Sequence, residues 1–244
     1  MTDRIVIITG GSRGIGRAVA IAAAARGFRV CVGYASNEAA AREVVSTIES
    51  KNGKAIAVKC DVASEADILA LFKAADEFGT LGALVNNAGI VGMTQRVDEM
   101  SAERIQRMMA INVTGSILCA REAVKRMSTR HGGQGGVIVN LSSVAAKLGA
   151  PNTYVDYAAS KGAIDSFTIG LGYEVAGEGI RVAAIRPGLI DTEIHAPGRL
   201  ERLAPSTPIG RIGTAQEVAE AIVFLLSDAA SYITGTVLRV SGGR

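Results

Sequence analysis

The feature that most constrains this chain is a short β-branched run, Ile5-Val6-Ile7-Ile8, that leads straight into a glycine-rich turn and then a helical pattern near 15–26. An unbroken apolar strand must be buried on both faces, which a parallel sheet covered by helices provides. The theme repeats along the chain. Strands are predicted at 5–9, 29–33, 55–59, 83–86, 137–141, 180–185 and 237–240, with helices near 15–26, 38–51, 64–78, 101–130, 154–177 and 214–227. Such alternation predicts an α/β fold with a parallel sheet and helices on both faces. No internal repeat or low-complexity linker divides the 244 residues, so a single domain is expected over 1–244.

Composition narrows the partners. The chain is 48% apolar and 20% charged, as a globular protein should be. Aromatics make up only 4% and Trp is absent, which argues against stacking platforms for nucleic acid. Net charge is a mild +3, compatible with an anionic cofactor. Arg121, Lys125, Arg126 and Arg130 fit one helix face and read as a solvated surface. No apolar stretch approaches a membrane span, and the run at 5–8 is too short for a signal-peptide core. Cys31, Cys60 and Cys119 form no paired motif and lie in apolar stretches, as buried thiols of a reducing compartment would. A cytoplasmic protein is expected. No metal site is expected, since His131 and His195 are the only histidines and neither has a partner at ligand spacing.

The turn Thr9-Gly10-Gly11-Ser12-Arg13-Gly14-Ile15-Gly16 lies between strand and helix. Glycines there allow a tight bend, close backbone approach to a pyrophosphate and close helix–strand packing, while the helix N-terminus offers free N–H groups and a positive dipole end. A Walker A loop is excluded, because Gly16-Arg17-Ala18 stands where Gly-Lys-Ser/Thr is required. Gly10-Gly11-Ser12-Arg13-Gly14 also matches a hydrolase nucleophile elbow, but only four residues precede its strand, leaving no earlier strand loop to supply an oxyanion donor. A purely structural turn needs fewer glycines. A dinucleotide cradle is the expectation.

The second strand region ends Tyr34-Ala35-Ser36-Asn37, without the acid that usually takes the ribose 2′-hydroxyl of NAD. Tyr34, Ser36 and Asn37 are candidate contacts on the adenosine side. Arg13 can reach over from the turn, and a guanidinium suits a phosphate. NADP(H) is therefore expected over NAD(H).

Tyr157 and Lys161 stand at i and i+4, which places them on one helix face. A phenol beside a cation ionises more readily and can pass a proton to or from a substrate oxygen. Ser143 ends the 137–143 stretch at the carboxyl edge of the sheet, where ligands bind in open parallel sheets; Ser142 is the neighbour most easily confused with it. Asn86-Asn87-Ala88-Gly89 ends the fourth strand at the same edge, and Asn112 falls inside the long fourth helix, where Asn has poor propensity.

Four motifs taken in order, Thr9-Gly10-x-x-x-Gly14-x-Gly16, Asn86-Asn87-Ala88-Gly89, Ser143 with Tyr157-x-x-x-Lys161, and Arg186-Pro187-Gly188, resemble the short-chain dehydrogenase/reductase family, including its glucose 1-dehydrogenase-like and 3-oxoacyl-acyl-carrier-protein reductase-like members. The resemblance implies a Rossmann-type doubly wound fold with seven parallel strands. It implies Tyr157 as general acid/base, Ser143 as orienter of the substrate oxygen, Lys161 as the group that lowers the Tyr157 pKa and holds the nicotinamide ribose, and Asn112 as holder of a water in the proton relay. Gly10, Ser12, Arg13, Gly14, Ile15 and Gly16 would bind the cofactor from the glycine-rich turn. Asp61 and Val62 would flank the adenine, and Asn87, Ala88, Gly89, Pro187, Gly188, Ile190 and Thr192 the rest of the dinucleotide. A homotetramer is also implied, packed through the helices holding Asn112 and Tyr157 and through the C-terminal strand.

Two departures stand out. Ser143 lies fourteen residues before Tyr157, one more than the common family spacing, so 149–156 is expected to bulge beside the substrate. Ala183 stands where the family often has Asn. The 190–213 stretch, with Pro197, Gly198, Pro205, Pro208 and Gly210, reads as a lid, and Glu193 and His195 at its start mildly favour a small polar substrate. The resulting expectation is an NADP(H)-dependent oxidoreductase of a small carbonyl or alcohol, with a sugar or polyol and a 3-oxoacyl thioester as alternative substrates and a dinucleotide-sensing binding protein as the non-enzymatic alternative.

Overall fold

The structure, a computed structural model, describes residues 4–193, 198, 200 and 203–244. Among them, seven strands form one parallel sheet in the order β3-β2-β1-β4-β5-β6-β9. These are β1 (Ile5–Ile8), β2 (Arg29–Tyr34), β3 (Ala55–Lys59), β4 (Leu81–Asn86), β5 (Gly136–Leu141), β6 (Ile180–Pro187) and β9 (Thr236–Val240). A small parallel pair, β7 (Ile190–Asp191) and β8 (Gly213–Thr214), closes the two ends of the expected lid stretch against each other. This is the doubly wound order, and its reversal between β1 and β4 opens a crevice at the strands' carboxyl ends.

Alternation along the strands divides the core. Val6 and Ile8 join Val30, Val32, Val85 and Val139 in a cluster under α1 (Gly14–Ala25), α2 (Glu38–Glu49) and α8 (Ala215–Leu226). Ile5 and Ile7 point the other way, into a cluster with Leu84, Ile138 and Val182 under α3 (Glu65–Phe78) and α5 (Gly115–Met127). Side chains two apart share a face, so one continuous apolar run feeds both layers. The three cysteines are buried in the second cluster, and burial pushes the Cys31 and Cys60 thiols up to about 12.

The expected long fourth helix is divided into three. α4 (Ala102–Met109) passes through one wide π turn (Ala110–Thr114) into α5. The basic residues on α5 are matched internally. Arg121 pairs with Glu65, Arg126 with Asp76, and both with the buried Glu122, which Lys125 also reaches. No helix among the described residues is long and apolar enough to cross a membrane.

Candidate active site

A cleft of about 960 Å³ runs along the carboxyl edge of the sheet. That volume suits a cofactor-sized ligand. One end is built by the turn at 9–16. Gly10 and Gly14 take left-handed conformations (φ 62° and 51°) that other residues adopt only at a cost. A Cβ on Gly10 would lie 3.0 Å from the Cα of Ala88. Thr9 and Asn87 lock the two strand ends together: the Thr9 hydroxyl accepts from the Asn87 and Ala88 amides (3.1 and 3.0 Å), and the Asn87 amide donates to Thr9 O and Gly10 O (both 2.9 Å). Arg13 caps α1 in extended conformation with no side-chain hydrogen bond, so the first N–H groups of that helix are left for a ligand. Open glycine backbone and an uncapped helix start fit a pyrophosphate.

Ser12, Arg13, Gly14, Ile15, Ser36, Asn37, Asp61, Val62, Ala88, Gly89, Pro187, Gly188, Ile190 and Thr192 line the same cleft. Asn37 also caps α2, accepting from the Ala40 amide at 3.0 Å. Arg13 is largely exposed and lies 3.8 Å from Glu193. His195 lies outside the described residues, as does part of the 190–213 stretch.

Three expected contacts take other roles. Gly16 does not line the cleft. Its importance is steric, because a Cβ there would fall 2.3 Å from Gly10 O and 2.5 Å from the Asn87 side-chain nitrogen. Tyr34 follows the Val30 and Val32 side of β2 into the first core cluster and borders a separate surface hollow with Glu38 and Arg42. Asn112 is fully buried on the π turn and its amide is engaged at both atoms: Oδ1 accepts from the Ile90 amide (2.8 Å), and Nδ2 donates to Ile90 O (2.9 Å) and Ser160 Oγ (3.0 Å). Its backbone oxygen takes the Ser116 hydroxyl at 3.2 Å. Asn112 therefore pins the segment after β4 through its side chain, while its backbone oxygen keeps a second lone pair.

The other end of the cleft carries Ser143, Tyr157 and Lys161. Tyr157 and Lys161 project from α7 (Val155–Val175), which follows the one-turn α6 (Ala145–Leu148), while Ser143 follows the end of β5 by two residues. Ser142 is turned away and donates to Lys161 O at 3.2 Å. Burial pushes the Tyr157 phenol up to about 12, the Ser143 hydrogen bond pulls it down, and Tyr154 adds to the upward push. Burial likewise lowers Lys161 to about 8, against the opposing pull of Asp165. The Lys161 ammonium donates to Leu141 O at 2.6 Å and stands 5.7 Å from the centre of the Tyr157 ring. Asp165 is held in turn by Arg186, at 2.7 Å from Nη2, which gives the arginine of the Arg186-Pro187-Gly188 motif a structural partner.

Between Ser143 and Tyr157 the chain forms the expected bulge. Gly149, Ala150 and Asn152 are all left-handed, and Leu148, Ala150, Pro151 and Tyr154 line the cleft there. Val91 and Met93, after β4, line it too. No motif marks these apolar lining residues in the sequence. Arg104 and Asp156 were also missed: they form a bidentate pair (2.8 and 3.1 Å) across fifty-two residues, with no local pattern to announce it.

A family model described as enoyl-(acyl carrier protein) reductase matches residues 10–244. The oxidoreductase YgfF of Escherichia coli K12 is 53% identical over 245 residues, covering 98% of this chain and 99% of its own. A 3-oxoacyl-[acyl-carrier-protein] reductase of Synechocystis is 38% identical, covering 100% of this chain and 97% of its own, and glucose 1-dehydrogenase 2 of Bacillus subtilis is also 38% identical, covering 100% and 95%. A blue fluorescent protein from a metagenomic library, solved in complex with NADPH, superposes with a TM-score of 0.93 at 30% identity, covering 99% of this chain and 98% of its own. A 3-ketoacyl-(acyl-carrier-protein) reductase of Brucella melitensis, solved with NADH, gives 0.93 at 34% identity, covering 100% and 98%. With the doubly wound sheet, the glycine turn and the Ser143–Tyr157–Lys161 grouping already in place, these likenesses establish that the chain is an oxidoreductase of the short-chain dehydrogenase/reductase family.

Proposed function

We propose that this protein is an NADP(H)-dependent oxidoreductase that interconverts a ketone and a secondary alcohol, with Tyr157 as the general acid/base. One observation carries the reading: Ser143, Tyr157 and Lys161 stand together on the wall of the cleft whose far end is the uncapped start of α1. The nicotinamide, when bound, supplies or accepts the hydride. The chain's own residues handle the oxygen. A phenol held near 12 stays protonated at neutral pH, the form needed to donate to a carbonyl oxygen that gains negative charge. Ser143 orients that oxygen. Lys161 spends one N–H on Leu141 O and keeps two for the nicotinamide ribose. The cleft residues Arg13, Ser36 and Asn37, and the lack of an acid after β2, support NADP(H) over NAD(H). The solved relatives bind one or the other.

Leu148, Ala150, Pro151 and Tyr154 make the substrate wall mainly apolar. That favours a ketone with apolar substituents, such as a 3-oxoacyl thioester, over the small polar substrate that Glu193 and His195 suggest from the sequence. A homotetramer is part of the same proposal, supported by exposed Ile169 and Tyr173 on α7 and Leu238 on β9. A cytoplasmic location is supported by the free, buried thiols.

The test follows NADPH absorbance across ketones, sugars and 3-oxoacyl thioesters. Turnover by the wild type and its loss, about a thousandfold or more, in Tyr157→Phe with dinucleotide binding retained are expected. Unchanged turnover in Tyr157→Phe would refute the assignment.

A further inference from the structure

We infer that Arg104 is a positioning residue that aligns Tyr157 and at the same time fixes the width of the substrate mouth. Its guanidinium sits where three segments meet. Nε and Nη2 hold both oxygens of Asp156 (2.8 and 3.1 Å), and Nη1 donates to Met93 O and to Gln95 Oε1 (both 2.8 Å). The pair is sunk, with side-chain exposures of 15% and 4%. A fork of this kind fixes direction as well as distance.

Each end of the clamp faces the chemistry. Asp156 directly precedes Tyr157 in the first turn of α7, where, against the cost of burial, the Arg104 guanidinium and the nearby Tyr157 backbone N–H hold its carboxyl below the usual range. A carboxylate there satisfies N–H groups that the helix leaves open. The rotation of that first turn sets where the phenol points. On the other side, Met93 lies on the cleft wall, and the Gln95 amide donates to Thr153 O at 2.8 Å, tying the segment after β4 to the 149–156 bulge. Gly92 leaves room for the guanidinium: a Cβ there would come within 2.5 Å of Nη2. Both walls of the mouth are thus referred to one side chain that does not itself line the cleft.

This inference rests on the proposed role of Tyr157. The test compares Arg104→Gln/Asp156→Asn, which removes both charges and leaves no lone buried carboxylate, with Arg104→Lys, which keeps the charge but loses the fork. The double variant is expected to bind NADPH within about twofold of wild type while kcat on a small ketone falls ten- to a hundredfold, the scale of a misaligned reacting group. KM for a bulky ketone should rise several-fold beyond that for the small one, and Arg104→Lys should fall between. Amide exchange of 91–96 and 150–157 should quicken while 9–16 keeps its protection. Wild-type kcat and KM in both variants would overturn the inference, whatever happens to Tm. If the wild type turned over none of the ketones, the reading of the reaction would fail instead, and unchanged exchange in 91–96 and 150–157 would still overturn the clamp.

Discussion

The turn at 9–16 and the bulge at 149–156 stand at opposite ends of one cleft, and both bend through left-handed residues. In the first these are Gly10 and Gly14 (φ 62° and 51°); in the second Gly149 is joined by Ala150 and Asn152 (φ 47° and 56°). Glycine takes that conformation freely, whereas alanine does so at a cost of about 1–2 kcal/mol. The first turn is therefore shaped by its own residues, and its main tertiary braces, Thr9 and Asn87, lie at the ends of adjacent strands. The second is held by contacts from far along the chain, including the Gln95 amide on Thr153 O and Arg104 on Asp156. The end proposed to take the cofactor is encoded locally. The end proposed to meet the substrate is imposed by the rest of the fold, so it can change shape when distant residues change.

That contrast can be broken at several points. The largest effect is expected from Gly16→Ala, which forces a Cβ to within 2.3 Å of Gly10 O. Overpacking of this kind costs about 1–3 kcal/mol, and the displaced turn should lose most of its dinucleotide affinity, by about a hundredfold in a direct titration. Near-normal affinity would mean that the first turn is not shaped by local fit.

A smaller and more selective effect is expected from Arg13→Glu. Arg13 is exposed and lies only loosely against Glu193 at 3.8 Å, so stability should hardly change. KM for NADPH should rise about tenfold or more while KM for NADH stays within about twofold, since a carboxylate repels a 2′-phosphate. Equal effects on the two cofactors would remove Arg13 as a phosphate reader.

The smallest effect is expected from Ala150→Gly. Relieving the left-handed alanine should stabilise the fold by up to about 1 kcal/mol, a Tm rise of a few degrees. A Tm that falls by that amount would show that the bulge carries no such strain.

The parts of this protein legible from its sequence are those that neighbouring residues decide. Periodicity located the strands because a sheet buried on both faces demands continuous apolar runs. The spacing of Tyr157 and Lys161 was readable because i and i+4 share a face on any helix. Where residues cooperate across the chain, local pattern is not enough. Tyr34 follows Val30 and Val32 to the side of the sheet beneath α2, because alternation, and not proximity to the turn, decides where a strand side chain points. The helix pattern near 101–130 carries no sign of the π turn at Ala110–Thr114, whose extra residue brings Asn112 against Ile90.

By itself, then, the sequence determined the layered α/β architecture, the place of the glycine-rich turn between β1 and α1 and the sharing of one helix face by Tyr157 and Lys161, because each depends on dihedral freedom or spacing within a few residues. Only the tertiary structure decided that burial raises the Tyr157 phenol and lowers the Lys161 ammonium, what the Asn112 side chain holds, and how Arg104 joins Asp156 to the segment after β4. Those outcomes depend on burial and on charges that meet across fifty or more residues, and no local pattern records them.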